Sequence, residues 1–154
     1  MKVLLVQHGK AKSKAEDPQR SLNEEGFRDT EKTAAWIGKH SFTVAEIRHS
    51  GKKRAEETAM IFANHLSPEH GVVAVTGLNP NDDVLSVAEG MGKLEEPIMI
   101  VGHLPFLSSL ASLLLAGDAE RNVVSFTNSG VVCLEKEEYQ WSVAWIVVPD
   151  LLFE

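Results

Sequence analysis

Residues 2–10 read Lys2-Val3-Leu4-Leu5-Val6-Gln7-His8-Gly9-Lys10 (KVLLVQHGK). Val3–Val6 is apolar without alternation, the pattern of a strand buried on both faces, and such strands belong to parallel sheets covered by helices. The strand runs straight into His8 and Gly9. A second stretch has the same grammar: Pro97 to His103 (PIMIVGH) is a continuous apolar run that ends on a glycine and a histidine. In open parallel sheets ligands bind beyond the carboxyl ends of the strands. The two runs therefore bring His8 and His103 to one edge.

Outward from these strands, the chain alternates strand and helix signals. Lys10 to Arg20 is polar and reads as a loop over the first strand's carboxyl end. Asn23 reads as an N-cap, followed by Glu24 and Glu25 at the positive end of a helix that runs through Ile37 and stops near Gly38 or His40. A second strand is expected over Thr43 to His49, and a helix from about Lys52 to Leu66, where Ala55, Ala59, Phe62, Ala63 and Leu66 make an apolar stripe that packs on a sheet. Val72–Val75 reads as a third strand, Val84–Met91 as a short helix capped by Asp82 or Asp83, and Pro105 to Leu115 as an apolar helix stopped by Gly117. Val131–Glu135 and Trp141–Val148 read as a terminal hairpin. The expected fold is α/β: a three-layer α/β/α sandwich with a mainly parallel sheet and an antiparallel edge, in one domain over residues 1–154.

Bulk composition narrows the function. With 154 residues, 44% hydrophobic and 24% charged, the chain suits a single soluble domain with a substantial core. The formal charge of -7 argues against coating nucleic acid, although a few local cations can still build a small anion site. The apolar run after Met1 is too short for a signal peptide or a membrane span. The single cysteine, Cys133, reads as a small core residue in a reducing cytoplasm. The expectation is a cytoplasmic protein without membrane or nucleic-acid partners.

Taken singly, each strand-end histidine reads as a turn residue bonded to backbone, and a lone arginine as a solvated one. Their convergence changes the odds. His8 and His103 each sit beside a glycine that permits close approach of a ligand. The second strand leads into "HSGKKRAEET", which sets Ser50, Gly51 and Arg54 around the first turn of a helix. Free N–H groups and partial positive charge at a helix start suit an anion, and the arginine fork can hold two phosphate oxygens. The other histidines, His40, His49, His65 and His70, lack the spacing of a metal site, so neither metal nor cofactor is expected.

In order and spacing, "QHG", "RSLNEEG", "HSGKKRAEETA" and "VGHLPFL" resemble the motifs of the histidine phosphatase superfamily, and in size the chain is most similar to its short SixA-type phosphohistidine phosphatases. The resemblance implies an α/β/α sandwich in which His8 is a nucleophile that is transiently phosphorylated. It implies that Arg54 clamps the phosphoryl oxygens and that His103, helped by the backbone N–H of Leu104, stabilises the transferring group. Arg20 matches a basic position near the phosphate, and Gln7, Gly9 and Ser50 would complete the phosphate pocket. Leu22, Asn23 and Gly26 fit the family's helix start, with Asn23 in place of threonine.

The chain departs from the family pattern at Gln7, where the signature has arginine, and at Gly51, usually proline, which should only loosen the turn. A neutral amide lacks the charge assistance that strengthens a bond to phosphate, roughly 1.5–3 against about 1 kcal/mol. Arg20, Lys10 or Lys12 could offset part of that loss, although both lysines read by default as solvated. Asp82 and Asp83 read as helix caps rather than as the proton donor an ordinary phosphomonoester needs. A phosphoramidate leaves more readily, so a site without such an acid favours phosphohistidine. Two readings stand: a phosphohistidine phosphatase acting on a phosphorylated protein, and a phosphate- or phosphohistidine-binding module that has lost turnover. A third is a phosphatase of small phosphorylated molecules.

Overall fold

The computed structural model describes residues 1–152. Strand β1 (Lys2–Gln7) lies in the middle of a six-stranded sheet, parallel to β4 (Ile98–Gly102) on one side and antiparallel to β5 (Val131–Glu137) on the other. Beyond β4 come β2 (Glu46–His49) and β3 (Val72–Ala74), both parallel; beyond β5 comes β6 (Gln140–Val147), antiparallel. The spatial order is β3-β2-β4-β1-β5-β6. The chain moves outward from β1 to β2 and β3 and then returns to insert β4 beside β1. That reversal opens a crevice at the strands' carboxyl ends.

Side-chain alternation splits the core in two. Leu4, Val6, Met99 and Val101 pack with Ala34 and Ile37 of α1 (Glu24–Lys39) and with Ala55, Ala59 and Phe62 of α2 (Lys53–Leu66). Val3, Leu5, Ile98 and Ile100 pack with Met91 of α3 (Leu85–Met91) and with Phe106, Leu107 and Leu110 of α4 (Phe106–Ala116). Both faces of the central strands are thus covered, which is why their sequences show no polar alternation. Cys133 is fully buried in the first cluster, and burial pushes its thiol up to about 11, so it is an inert core residue. Among the described residues no helix is long and apolar enough to cross a membrane.

The expected three-layer sandwich with an antiparallel edge is what forms, but several boundaries move. The expected strand over Thr43–His49 pairs only from Glu46, opposite Ile98. Residue 97 on the neighbouring strand is proline, which has no N–H to extend that ladder. Ala45 instead donates to the Pro97 carbonyl, and Val44 is buried without pairing. Strand β5 runs longer than expected, to Glu137, because charged residues pair as readily as apolar ones at a solvated edge, and β6 is shifted by one residue to Gln140–Val147. At α3, Val84 takes the cap position while Asp83 accepts the Leu85 N–H at 2.9 Å and Asp82 accepts the Asn79 N–H at 2.8 Å. Both carboxylates are engaged locally, as the capping reading expected.

Candidate active site

The register of β1 on β4 sets Gln7 opposite Gly102, and the His8 N–H extends the ladder to the Gly102 carbonyl at 3.0 Å. One residue further, His8 and His103 are neighbours on the face covered by α1 and α2. Their ring centroids lie 5.0 Å apart, close to the spacing of adjacent strands. Two histidines almost a hundred positions apart thus meet because each is one step past a paired strand residue.

The His8 ring is fixed by its own neighbour: Nδ1 donates to the Gly9 carbonyl at 2.7 Å, which leaves the Nε2 lone pair as the outward atom. Burial is the main influence on its pKa and lowers it to about 4; the bond to Gly9 raises it, and smaller downward contributions come from Arg54 and Arg20. At neutral pH His8 is therefore an uncharged imidazole with a directed lone pair. The Arg54 Nε–H points at that same Nε2 from 3.3 Å.

His103 is 2% exposed and is lowered to about 3, first by burial and then by the charges of His8, Arg54, Lys52 and Arg20. Its Nε2 lies 2.6 Å from Ser50 Oγ, the residue that links β2 to α2, whereas its Nδ1 is buried with no hydrogen-bond partner among the described residues. Ser50 also accepts the Lys52 N–H at 3.4 Å, and His49 Nδ1 accepts the Gly51 N–H at 3.1 Å. Gly51 has φ +90, a conformation closed to proline, so its replacement of the family's proline changes the shape of the turn rather than merely loosening it.

Arg20 comes from the loop between β1 and α1. Its backbone is left-handed (φ 53), held by the Asp17 carbonyl accepting its N–H at 2.8 Å, while its Nε donates to the Lys12 carbonyl at 3.0 Å. The Asp17 carboxylate accepts N–H groups of Gln19 and Ser21, both at 3.0 Å, and so pins the loop. Arg20 and Arg54 lower each other's neighbours electrostatically, and neither forms a salt bridge among the described residues.

The structure therefore brings together His8, His103, Arg54 and Ser50 by direct contact and Arg20 through its field. Two expected pocket residues differ. Gly9 gives its N–H to Thr58 Oγ1 at 3.0 Å, and a Cβ there would stand 2.8 Å from Thr30 Oγ1 and 3.1 Å from the Gly26 carbonyl. Its smallness serves the packing of α1 on the strand end. Gln7 directly precedes His8 at the end of β1, and its Oε1 is buried without a hydrogen-bond partner among the described residues. Leu104 is 40% exposed at the rim, one residue past His103. Lys10, offered as a substitute cation, is engaged with Glu25.

Several residues with a direct part in the geometry had no signal of their own. Thr58 lies on α2 next to the apolar stripe and carried no reading of its own. Asn128 Nδ2 donates to the His8 carbonyl at 2.8 Å, and the Ser129 N–H donates to the Gln7 carbonyl at 2.9 Å. Only the antiparallel pairing of β5 with β1 places residues 127–130 beside the histidine, and no local pattern announces it.

A cavity of about 650 Å³ lies under the β3–α3 loop between Arg48, Leu78, Asp82, Asp83 and Ile100, and neither His8 nor His103 lines it. Beside the site is a shallower cleft of about 380 Å³ lined by Lys14, Arg20, Lys52, Lys53 and Arg54. The one grouping of metal-ligating side chains among the described residues is Glu69, His70 and Glu96, which is exposed and lies at the sheet's other end.

Neither a family model nor a curated protein sequence matches the chain. Solved structures do. The protein histidine phosphatase SixA complexed with tungstate superposes with a TM-score of 0.86 at 23% identity, covering 97% of this chain and 98% of that one. This chain has the SixA fold. A protein described as phosphohistidine phosphatase SixA from Agrobacterium tumefaciens superposes with a TM-score of 0.76 at 23% identity, covering 96% and 97%. The likeness extends to a mycobacterial glucosyl-3-phosphoglycerate phosphatase complexed with VO3, at TM-score 0.71 and 15% identity over 94% and 97% of the chains. At such identities the SixA fold is what is shared, and the chemistry has to be argued from the side chains.

Proposed function

We propose that the chain is a phosphatase that removes the phosphoryl group from protein phosphohistidine by way of a phosphorylated His8. One observation carries this reading: the Arg54 guanidinium, without a carboxylate partner among the described residues, donates to a tautomerically fixed imidazole that burial keeps neutral, and the field of Arg20 reaches the same ring. Unopposed cations of this kind suit a tetrahedral oxyanion. The solved relatives that hold tungstate and VO3 support the same ligand class.

In the proposed cycle His8 Nε2 attacks phosphorus in line as the substrate's N–P bond breaks, and the departing imidazole takes a proton from solvent. Water then attacks the phosphoryl group on His8, giving inorganic phosphate and the free imidazole. Arg54 and Arg20 hold the equatorial oxygens while charge redistributes, and His103 with the Leu104 N–H supports the opposite side. Transfer from one imidazole to another breaks and makes the same kind of bond. It needs neither a metal nor a strong acid, and Asp82 and Asp83 are engaged elsewhere.

Gln7 favours the second reading, a binding module without turnover, since its amide brings no charge and its Oε1 is buried without a partner among the described residues. Turnover of a phosphohistidine peptide separates the two. The expectation is measurable phosphate release by the wild-type chain, abolished in Arg54→Ala, and raised roughly 10-fold or more in Gln7→Arg, because a charge-assisted bond adds about 1.4 kcal/mol or more. Tight phosphate binding with no release by either the wild type or Gln7→Arg establishes the binding module instead.

A further inference from the structure

The cleft beside the phosphoryl site is out of character with the rest of the molecule. The chain carries a net charge of -7, yet Lys14, Arg20, Lys52, Lys53 and Arg54 line this one depression with Glu56 as its single carboxylate. Glu56 meets only Lys53, at 3.7 Å between exposed groups, a weak pairing. Arg20 and Arg54 belong equally to the catalytic cluster, and the Lys52 charge reaches His103, so cleft and site are one continuous surface. Keeping five like charges together in an acidic protein opposes folding, and an anionic occupant offsets that repulsion.

We infer that this cleft is a second subsite that takes a carboxylate-bearing segment next to the phosphorylated residue, making the chain selective for phosphohistidine in an acidic stretch of protein. The inference rests on the phosphatase reading for the neighbouring phosphoryl group. Carboxylates fit better than a second phosphate because the two forks are committed to the phosphoryl oxygens. What remains is lysine, a flexible point charge with no fixed bidentate geometry. The cleft's outer wall of Lys14, Pro18, Gln19 and Lys53 is exposed, and the depression is open enough for a chain segment to cross. The sequence motifs give the two lysines of "GKKR" no role of their own.

The test uses two synthetic phosphohistidine peptides identical except for Asp and Glu neighbours in one and Asn and Gln in the other. Turnover is compared in the wild type and in Lys14→Gln/Lys52→Gln/Lys53→Gln, none of whose substituted positions belongs to the core. The wild type should prefer the acidic peptide by on the order of 10-fold in kcat/KM, and the preference should fall with added salt and vanish in the triple variant. Equal kcat/KM for both peptides in the wild type overturns the subsite. So does a preference that survives in the triple variant, or tighter competition by inorganic pyrophosphate than by the acidic peptide. Binding of the same pair made with a non-hydrolysable phosphonate keeps the two claims apart. Charge-dependent binding without turnover sinks the phosphatase reading and leaves the subsite standing, whereas turnover indifferent to the flanking charge does the reverse.

Discussion

The peptide unit joining His8 to Gly9 is held at both of its polar ends, the His8 carbonyl by Asn128 and the Gly9 N–H by Thr58. Thr58 is itself anchored, its hydroxyl donating to the Arg54 carbonyl at 2.8 Å. With that plane fixed, the next carbonyl, that of Gly9, faces His8 Nδ1 and selects the tautomer with Nε2 free. Asn128 and Thr58 are thus positioning residues for the nucleophile. Removing the amide in Asn128→Ala should leave the His8 carbonyl unsatisfied and cost about 1–3 kcal/mol of stability. It should also lower the fraction of His8 carrying its proton on Nδ1, read from imidazole nitrogen chemical shifts, and reduce kcat more than it raises KM. An unchanged tautomer ratio with full activity removes Asn128 from that role. His8, His103, Arg54 and Ser50 were legible in the sequence because each sits at a strand end or helix start. Asn128 and Thr58 were not, since they act through the backbone of another residue and leave no spacing of their own.

Among the elements, the close approach of α1 to the end of β1 depends on two glycines facing each other. A Cβ on Gly26 would stand 2.1 Å from the Lys10 carbonyl oxygen, and the Asn23 side chain caps the helix at the Gly26 N–H, 2.8 Å away. Neither neighbour is a flexible side-chain end, so the contact cannot be relieved by a rotamer change. Gly26→Ala should therefore push α1 off the strand and cost about 1–3 kcal/mol, visible as a lower denaturant midpoint, despite the better helix propensity of alanine. A stabilised Gly26→Ala variant would contradict this packing. The cap at Asn23 was readable from sequence because capping is local. The need for Gly26 was not, because it arises from a chain segment sixteen residues away that only the fold brings overhead. Strand edges moved for a similar reason: whether Thr43 and Val44 pair depends on Pro97, which is distant in sequence.

For the whole molecule, the order β3-β2-β4-β1-β5-β6 delivers the site residues to one rim, where His103 is buried and His8 half-buried. Strand and helix alternation made the layers predictable, whereas the insertion of β4 between β2 and β1 is a global choice that no single element encodes. Burying His8 and His103 has a linked consequence for stability. Both are lowered, to about 4 and about 3, below the 6.5 of an unperturbed histidine. Between those values the unfolded chain binds protons that the folded chain refuses. Stability is thus fully present above about pH 6.5 and is lost as pH falls toward about 4, by up to roughly 1.4 kcal/mol per pH unit for each group. Thermal melts from pH 7 to pH 4.5 should show a falling midpoint, and His103→Gln should flatten the slope. A midpoint that rises or stays level on acidification would mean the imidazoles are not held neutral.

The nucleophile itself can be read directly by exposing the protein to a phosphohistidine donor, quenching in alkali, and locating the phosphoryl group by mass spectrometry and phosphorus–nitrogen coupling. Phosphate should be found transiently on Nε2 of His8, at near-stoichiometric level before it decays, and be absent from His8→Ala. Phosphate on Nδ1, on another residue, or retained in the His8→Ala variant would contradict the arrangement in which two distant strand ends aim one imidazole at a captured oxyanion.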